Sequence, residues 1–183
     1  MTSEHARKRI DEILLQGQKV SEAEIAAALN RQKSVGGKLC SHLFESGAAT
    51  EEDLILALSE HFGRPGVKLD SIEIAPDILN LIPPNFALSR LILPVGINAE
   101  QNAVQIACVD PDDAELSSEL NTLVHPRSVE LFVAVESTLR KAVDRFYSSK
   151  AAALADQRAQ SEKAAVRGSE QPVSLGHDLS VDR

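Results

Sequence analysis

Arg9-Ile10-Asp11-Glu12-Ile13-Leu14-Leu15 and Lys38-Leu39-Cys40-Ser41-His42-Leu43-Phe44 decide the fold, because they open one helical unit that is written twice at an offset of 29 residues. At that offset Val20-Ser21-Glu22 falls on Ala49-Thr50-Glu51, Ile25 on Leu54, Ala28-Leu29 on Ala57-Leu58, and Gln32 on His61. Only 4 of the 24 paired positions are identical, so what recurs is chemical class in register: a basic residue, an apolar pair, a hydroxyl cap and a second apolar face. Two such units bury their apolar sides against each other more readily than either does alone.

Each copy predicts two helices. In the first, Ile10, Ile13 and Leu14 share one helical face and Gly17 closes it; Ser21 then stands three residues before Glu24 as an N-cap with its reciprocal acid. Ile25, Ala28 and Leu29 form the next apolar face, and Gly36-Gly37 break the chain. The second copy repeats this with Leu39, Leu43 and Phe44, an exit at Gly47, Thr50 before Asp53, and Leu54, Ala57 and Leu58. The turn-forming tetrad Gly63-Arg64-Pro65-Gly66 marks an internal boundary.

Beyond that boundary the pattern changes. Short strands are predicted over 67–69, 91–97, 104–109 and 129–135. Helical turns fall over 76–81 and 84–88, and longer helices over 110–123 and 136–147. The fold class is α+β: a tandem helical-pair repeat over residues 5–66, then a small mixed sheet-and-helix region over 67–147. Residues 148–183 read as a flexible polar tail, with 151–166 helical by propensity alone.

Charge and composition exclude several functions. The chain has 183 residues, 43% apolar, with a formal net charge of -8. Residues 69–147 hold 5 basic and 12 acidic side chains, a balance that repels phosphate backbones and argues against general nucleic-acid binding. Cys40 and Cys108 each lie in apolar surroundings, as reduced buried thiols do, and form no disulfide framework. No apolar run is long enough to span a bilayer and the start lacks an export signal, so direct membrane insertion is not expected and the cytoplasm is the expected location.

Chemistry-bearing clusters are also missing. Cys40-Ser41-His42 lacks the second cluster that a metal site needs. Asp110, Asp112, Asp113 and Glu115 surround a helix start, where capping accounts for them. Neither a nucleophile elbow nor a G-x-x-x-x-G-K-[ST] phosphate loop occurs, and the 36 residues after Tyr147 are too few for a P-loop domain. A non-enzyme without metal or cofactor is expected.

The two copies resemble the tandem nucleotide-binding motif in the N-terminal domain of type II secretion and type IV pilus assembly ATPases, called MshEN when it binds cyclic di-GMP. The resemblance covers about residues 7–147. Its motif runs from a basic residue, an apolar residue and Gly through an apolar pair and a second Gly to spaced leucines and a terminal Gln. Here the first copy has Arg9, Ile10 and Asp11, then Leu14-Leu15, Gln18, Ile25, Leu29 and Gln32. The second has Lys38, Leu39 and Cys40, then Leu43-Phe44, Gly47, Leu54, Leu58 and His61.

The resemblance implies ligand contacts at Arg9, Ile10, Asp11, Leu14, Lys38, Leu39, Cys40, Leu43 and Gly47. The substitutions weaken that expectation. Asp11 brings bulk and negative charge to an anion site, and Cys40 brings bulk. Lys38 lacks arginine's bidentate fork, and Gly47 alone survives of the four motif glycines. Arg9 and Lys38 also read as solvated surface cations, and His61 as a cap of its own helix end. The expected function is therefore a non-catalytic protein-interaction or regulatory module of a secretion or pilus machine. It would have a cytoplasmic protein partner that recruits it to the inner membrane, and weak or absent cyclic di-GMP binding. A cyclic di-GMP sensor and an uncharacterised enzyme are the alternatives.

Overall fold

A computed structural model describes residues 8–148; the expected tail and its 151–166 helix lie outside the described residues. The first copy forms α1 (Ile10–Gln16) and α2 (Glu22–Val35), the second α3 (Leu39–Glu45) and α4 (Glu51–Phe62). The main packing is reciprocal: α1 lies against α4 and α2 against α3, so each helix finds its principal partner in the other copy. This is the arrangement of an isologous two-fold contact, in which element i meets j and j meets i. It buries Leu14 with Leu43, Ile25 with Leu54, and Ala28 with Ala57 in one core. Three of the four identical positions, Leu14/Leu43, Ala28/Ala57 and Leu29/Leu58, therefore lie in or against that core.

The copies repeat down to their caps. Arg9 and Lys38 are the extended N-cap residues of α1 and α3. The Ser21 hydroxyl accepts from the Glu24 amide at 3.3 Å, and the Thr50 hydroxyl accepts from the Asp53 amide at 3.2 Å. The Thr50 hydroxyl, followed by the Lys19 ammonium 2.9 Å away, holds the Asp53 carboxyl below its ordinary range. Gln18 has φ 51° where Gly47 has φ 74°, so the first copy keeps the left-handed turn without the residue that adopts it freely. Gln18→Gly is accordingly expected to raise unfolding stability by about 0.5–1 kcal/mol, the left-handed penalty less glycine's greater freedom when unfolded. A urea titration reads the change as a higher midpoint.

The second region contains α5 (Pro76–Leu79), α6 (Pro84–Arg90), β1 (Leu93–Asn98), β2 (Ala103–Cys108), α7 (Ala114–Val124), β3 (Ser128–Val133) and α8 (Glu136–Val143), followed by a π-helical turn at Asp144–Ser148. The sheet order is β1-β2-β3, with β1 antiparallel and β3 parallel to β2. A parallel pair needs a crossover, and α7 supplies it. The chain is thus α+β, as its patterning indicates.

Several expected elements differ: α7 opens at Ala114 rather than at Asp110, β3 ends at Val133 rather than at Val135, and α8 gives way to the π-helical turn after Val143. Leu91 caps α6 at φ 50° and does not open β1. The expected strand over 67–69 is reduced to a single bridge between Gly66 and Val133, flanked by amide bonds from Val67 to the Val133 carbonyl and from Val133 to the Pro65 carbonyl at 3.0 and 2.9 Å. Pairing stops there because the Leu69 amide donates to Glu51 Oε1 at 3.1 Å instead. That bond and the Ser137 amide of α8 donating to the Ser41 hydroxyl at 3.2 Å join the helical copies to the second region. Val133, the last residue of β3, and Val135, the N-cap of α8, complete the helical core.

Gly66 sits directly against Ile55 and Ser59 of α4, where a Cβ would collide with both side chains. Gly66→Val is expected to cost about 1–3 kcal/mol by overpacking. Chemical denaturation would show this as a fall in midpoint.

Candidate functional site

Between the reciprocally packed copies and the sheet lies a cleft of about 350 Å3. The helices contribute Ile10, Gln32, Lys38, Leu39, Cys40, Leu58, His61 and Phe62 to its walls; Val109, Asp110, Ala134 and Glu136 close the sheet side. Two pairs on the 29-residue offset face it together, Ile10 with Leu39 and Gln32 with His61. Equivalent positions of both copies thus meet at one site, as a pseudo-two-fold relation requires.

Two hydrogen bonds fix residues of the cleft's wall. The Gln32 Nε2 group donates to the Gly37 carbonyl at 2.8 Å, immediately before Lys38. His61 Nδ1 lies 2.7 Å from the Lys8 carbonyl, immediately before Arg9. Since a carbonyl only accepts, Nδ1 carries the proton. Each copy's last motif residue therefore fastens the main chain ahead of a basic N-cap: Gln32 ahead of the second copy's Lys38, His61 ahead of the first copy's Arg9. His61 does not cap its own helix, contrary to the plainer reading of its position. The Gly36-Gly37 turn, with both residues at positive φ, is also held by His42 Nε2, 2.7 Å from the Gly36 carbonyl.

The structure divides the nine residues named by motif. Ile10, Lys38, Leu39 and Cys40 line the cleft. Leu14 and Leu43 are buried in the helical core, where they support its walls. Gly47 turns the chain on a separate groove between α2 and α3. Arg9 and Asp11 face each other: the guanidinium donates to both carboxylate oxygens, at 3.1 and 3.0 Å. The residue standing in place of the motif glycine thus occupies the motif arginine. Lys38 makes no ion pair with another described residue. Burial pushes the Cys40 thiol up to about 12, so it faces the cleft as a neutral group.

The sheet-side residues escape motif reasoning. Val109 and Asp110 follow the end of β2, while Ala134 and Glu136 follow the end of β3. They stand at the carboxyl ends of parallel strands, where open sheets place ligands. Only the topology reveals that signal. Asp110 does not cap α7; that role belongs to Asp113, whose carboxylate accepts from the Leu116 amide at 3.0 Å. Glu136 is braced by Arg140 at 2.8 Å. Among the described residues no group of three or more His, Cys, Asp or Glu could hold a metal ion, and no helix is long and apolar enough to cross a membrane.

The sequence pattern of the MshEN domain matches residues 62–153. The chain belongs to the MshEN domain family. The match begins at the end of α4, so the two altered motif copies precede it. The chain is also similar to the type IV pilus assembly ATPase PilB of Myxococcus xanthus, with 29% identity over 148 residues, 81% of this chain and 26% of that protein. The PilB of Thermus thermophilus is 29% identical over 116 residues, 63% of this chain and 13% of that protein. The chain therefore spans a minor part of the length of either relative.

A solved structure of MshE with cdg is 29% identical, with a TM-score of 0.55, and covers 77% of this chain and 100% of that one. The N-terminal domain of XpsE shares the fold at 21% identity and a TM-score of 0.52, covering 80% of this chain and 99% of that one. The MshEN domain here is of the kind found at the N-terminus of type II secretion and type IV pilus ATPases.

Proposed function

We propose that the cleft binds a cyclic dinucleotide of the cyclic di-GMP type, and that the chain is a regulatory module acting on a pilus or secretion assembly ATPase at the cytoplasmic face of the inner membrane. The observation that carries this reading is the meeting of equivalent positions, Ile10 with Leu39 and Gln32 with His61, around one cleft. A ligand made of two identical halves fits a site made of two related copies. The MshE relative solved with cdg supports the same ligand class.

In this reading Lys38 meets a phosphate as a point charge. Ile10, Leu39 and Leu58 cover the bases, and Asp110 accepts from the N–H groups of a guanine edge. Affinity falls below that of a site with two free arginines, because Arg9 is held by Asp11 and two carboxylates share the cleft with Lys38. Residues 5–66 then form the sensing half and 67–147 the supporting half of one domain.

A module that binds protein alone is the second reading, favoured by the same Arg9–Asp11 pair. Isothermal titration of the 183-residue chain with cyclic di-GMP separates the two. Micromolar affinity that Lys38→Ala weakens about tenfold is expected, the loss of one charged hydrogen bond. Absence of binding at millimolar ligand would leave only the second reading.

A further inference from the structure

The two-fold relation between the copies is broken at the groove between α2 and α3. At the 29-residue offset Ala48 stands where the first copy has Lys19, Glu24 where the second has Asp53, and Ala27 where the second has Leu56. In one half of the molecule Lys19, past the end of α1, crosses to α4 and brings its ammonium 2.9 Å from the Asp53 carboxylate. The related half has alanine in place of that lysine. A groove of about 390 Å3 lies there, with Ala27, Ala28 and Ala48 in its walls together with Glu24, Arg31 and His42.

Glu24 keeps the position of Asp53 without its cation. Its Oε2 accepts from the Ser21 amide at 2.8 Å and from the Ser21 hydroxyl at 2.7 Å, and these bonds hold the carboxyl below its ordinary range. The carboxylate makes no ion pair with another described residue. Arg31 is two helical turns further along α2, about 10 Å along the axis, and leans on Glu45 at 3.8 Å. His42, 6% exposed, faces the Gly36 carbonyl with Nε2, which therefore carries the proton. Its Nδ1 is left as a buried acceptor without a donor among the described residues. The Glu24 end of the groove thus offers acceptors and negative charge, and a net charge of -8 favours encounter with a basic partner.

We infer that this groove is an interaction surface for a protein partner that inserts a lysine side chain: the alkyl stem lies along Ala27, Ala28 and Ala48, and the ammonium meets Glu24 as Lys19 meets Asp53. The chain supplies the pattern itself, since the same helical frame already holds a lysine against an acid in its other half. Lysine suits the place because its stem covers apolar surface while its head stays in water. An exposed ion pair contributes little alone, so the lysine sets register and partner choice, and the partner's remaining surface adds affinity. The groove shares no lining residue with the cleft, so the inference is independent of the ligand assigned there.

The test is amide chemical-shift titration of the full chain with an acetylated and amidated peptide, Ala-Ala-Lys-Ala-Ala, and with its norleucine twin. Wild type is expected to show saturable shifts at Glu24, Ala27 and Ala48 with the lysine peptide at concentrations up to about 10 mM. Binding is expected to be about fivefold weaker for the norleucine peptide, and weaker to a similar degree in Glu24→Gln, which keeps the capping box. Ala48→Lys fills the groove with the chain's own side chain and is expected to abolish the shifts. Equal affinity for the two peptides, affinity unchanged in Glu24→Gln, shifts that persist in Ala48→Lys, or no saturable shifts in wild type would each overturn the inference.

Discussion

Asp11→Gly is expected to tighten cyclic di-GMP binding about tenfold, the worth of roughly one charge-assisted hydrogen bond. Asp11 now holds the Arg9 guanidinium through two oxygens at 3.1 and 3.0 Å. Its removal frees a planar fork beside Ile10, takes a negative charge away from the approaching phosphates, and clears the space that a motif glycine provides. Arg9→Ala should be nearly silent in the wild type and should cancel the gain in the Asp11→Gly background. Calorimetry of these variants forms a double-mutant cycle. Additive effects would sink the claim that Asp11 acts by occupying Arg9.

Leu43→Ala is expected to have the largest effect on stability, a loss of about 3–4 kcal/mol measured by chemical denaturation. Leu43 has no exposed surface in the helical core, and its carbonyl accepts from the Ala48 amide at 3.0 Å and the Ser46 hydroxyl at 3.1 Å. Cutting it back leaves a cavity in the core where the two copies meet. Val35→Ala is the control: Val35 is 69% exposed, and surface changes of this kind stay within about 0.5 kcal/mol. Equal losses from the two would contradict a core built on copy-to-copy packing.

The repeat was legible because periodicity records which face of each helix is apolar. Leu14 with Leu43 and Ile25 with Leu54 did land in one core. Which helix covers which face is not written in that periodicity, so the pairing of α1 with α4 and α2 with α3 had to be seen. The 67–69 segment alternates like a strand, yet a buried carboxylate eighteen positions earlier claims its Leu69 amide. Local pattern carries no trace of that competition.

The cleft was half legible. Lys38, Leu39 and Cys40 follow from the motif, as do Gln32 and His61. Asp11 declared its charge in the sequence but not its partner. Asp110 and Glu136 lie far along the chain and reach the cleft only because β2 and β3 run parallel and end beside it. No spacing rule joins them to the helical copies.

Amide chemical-shift mapping of the full chain during titration with cyclic di-GMP shows whether the two copies form one dinucleotide site. Saturable shifts are expected at Ile10, Gln32, Lys38–Cys40, His61 and Asp110 together, with one binding constant for residues of both copies. Shifts confined to one copy, shifts gathered on the Gly47 groove, or no shifts at saturating ligand would contradict it.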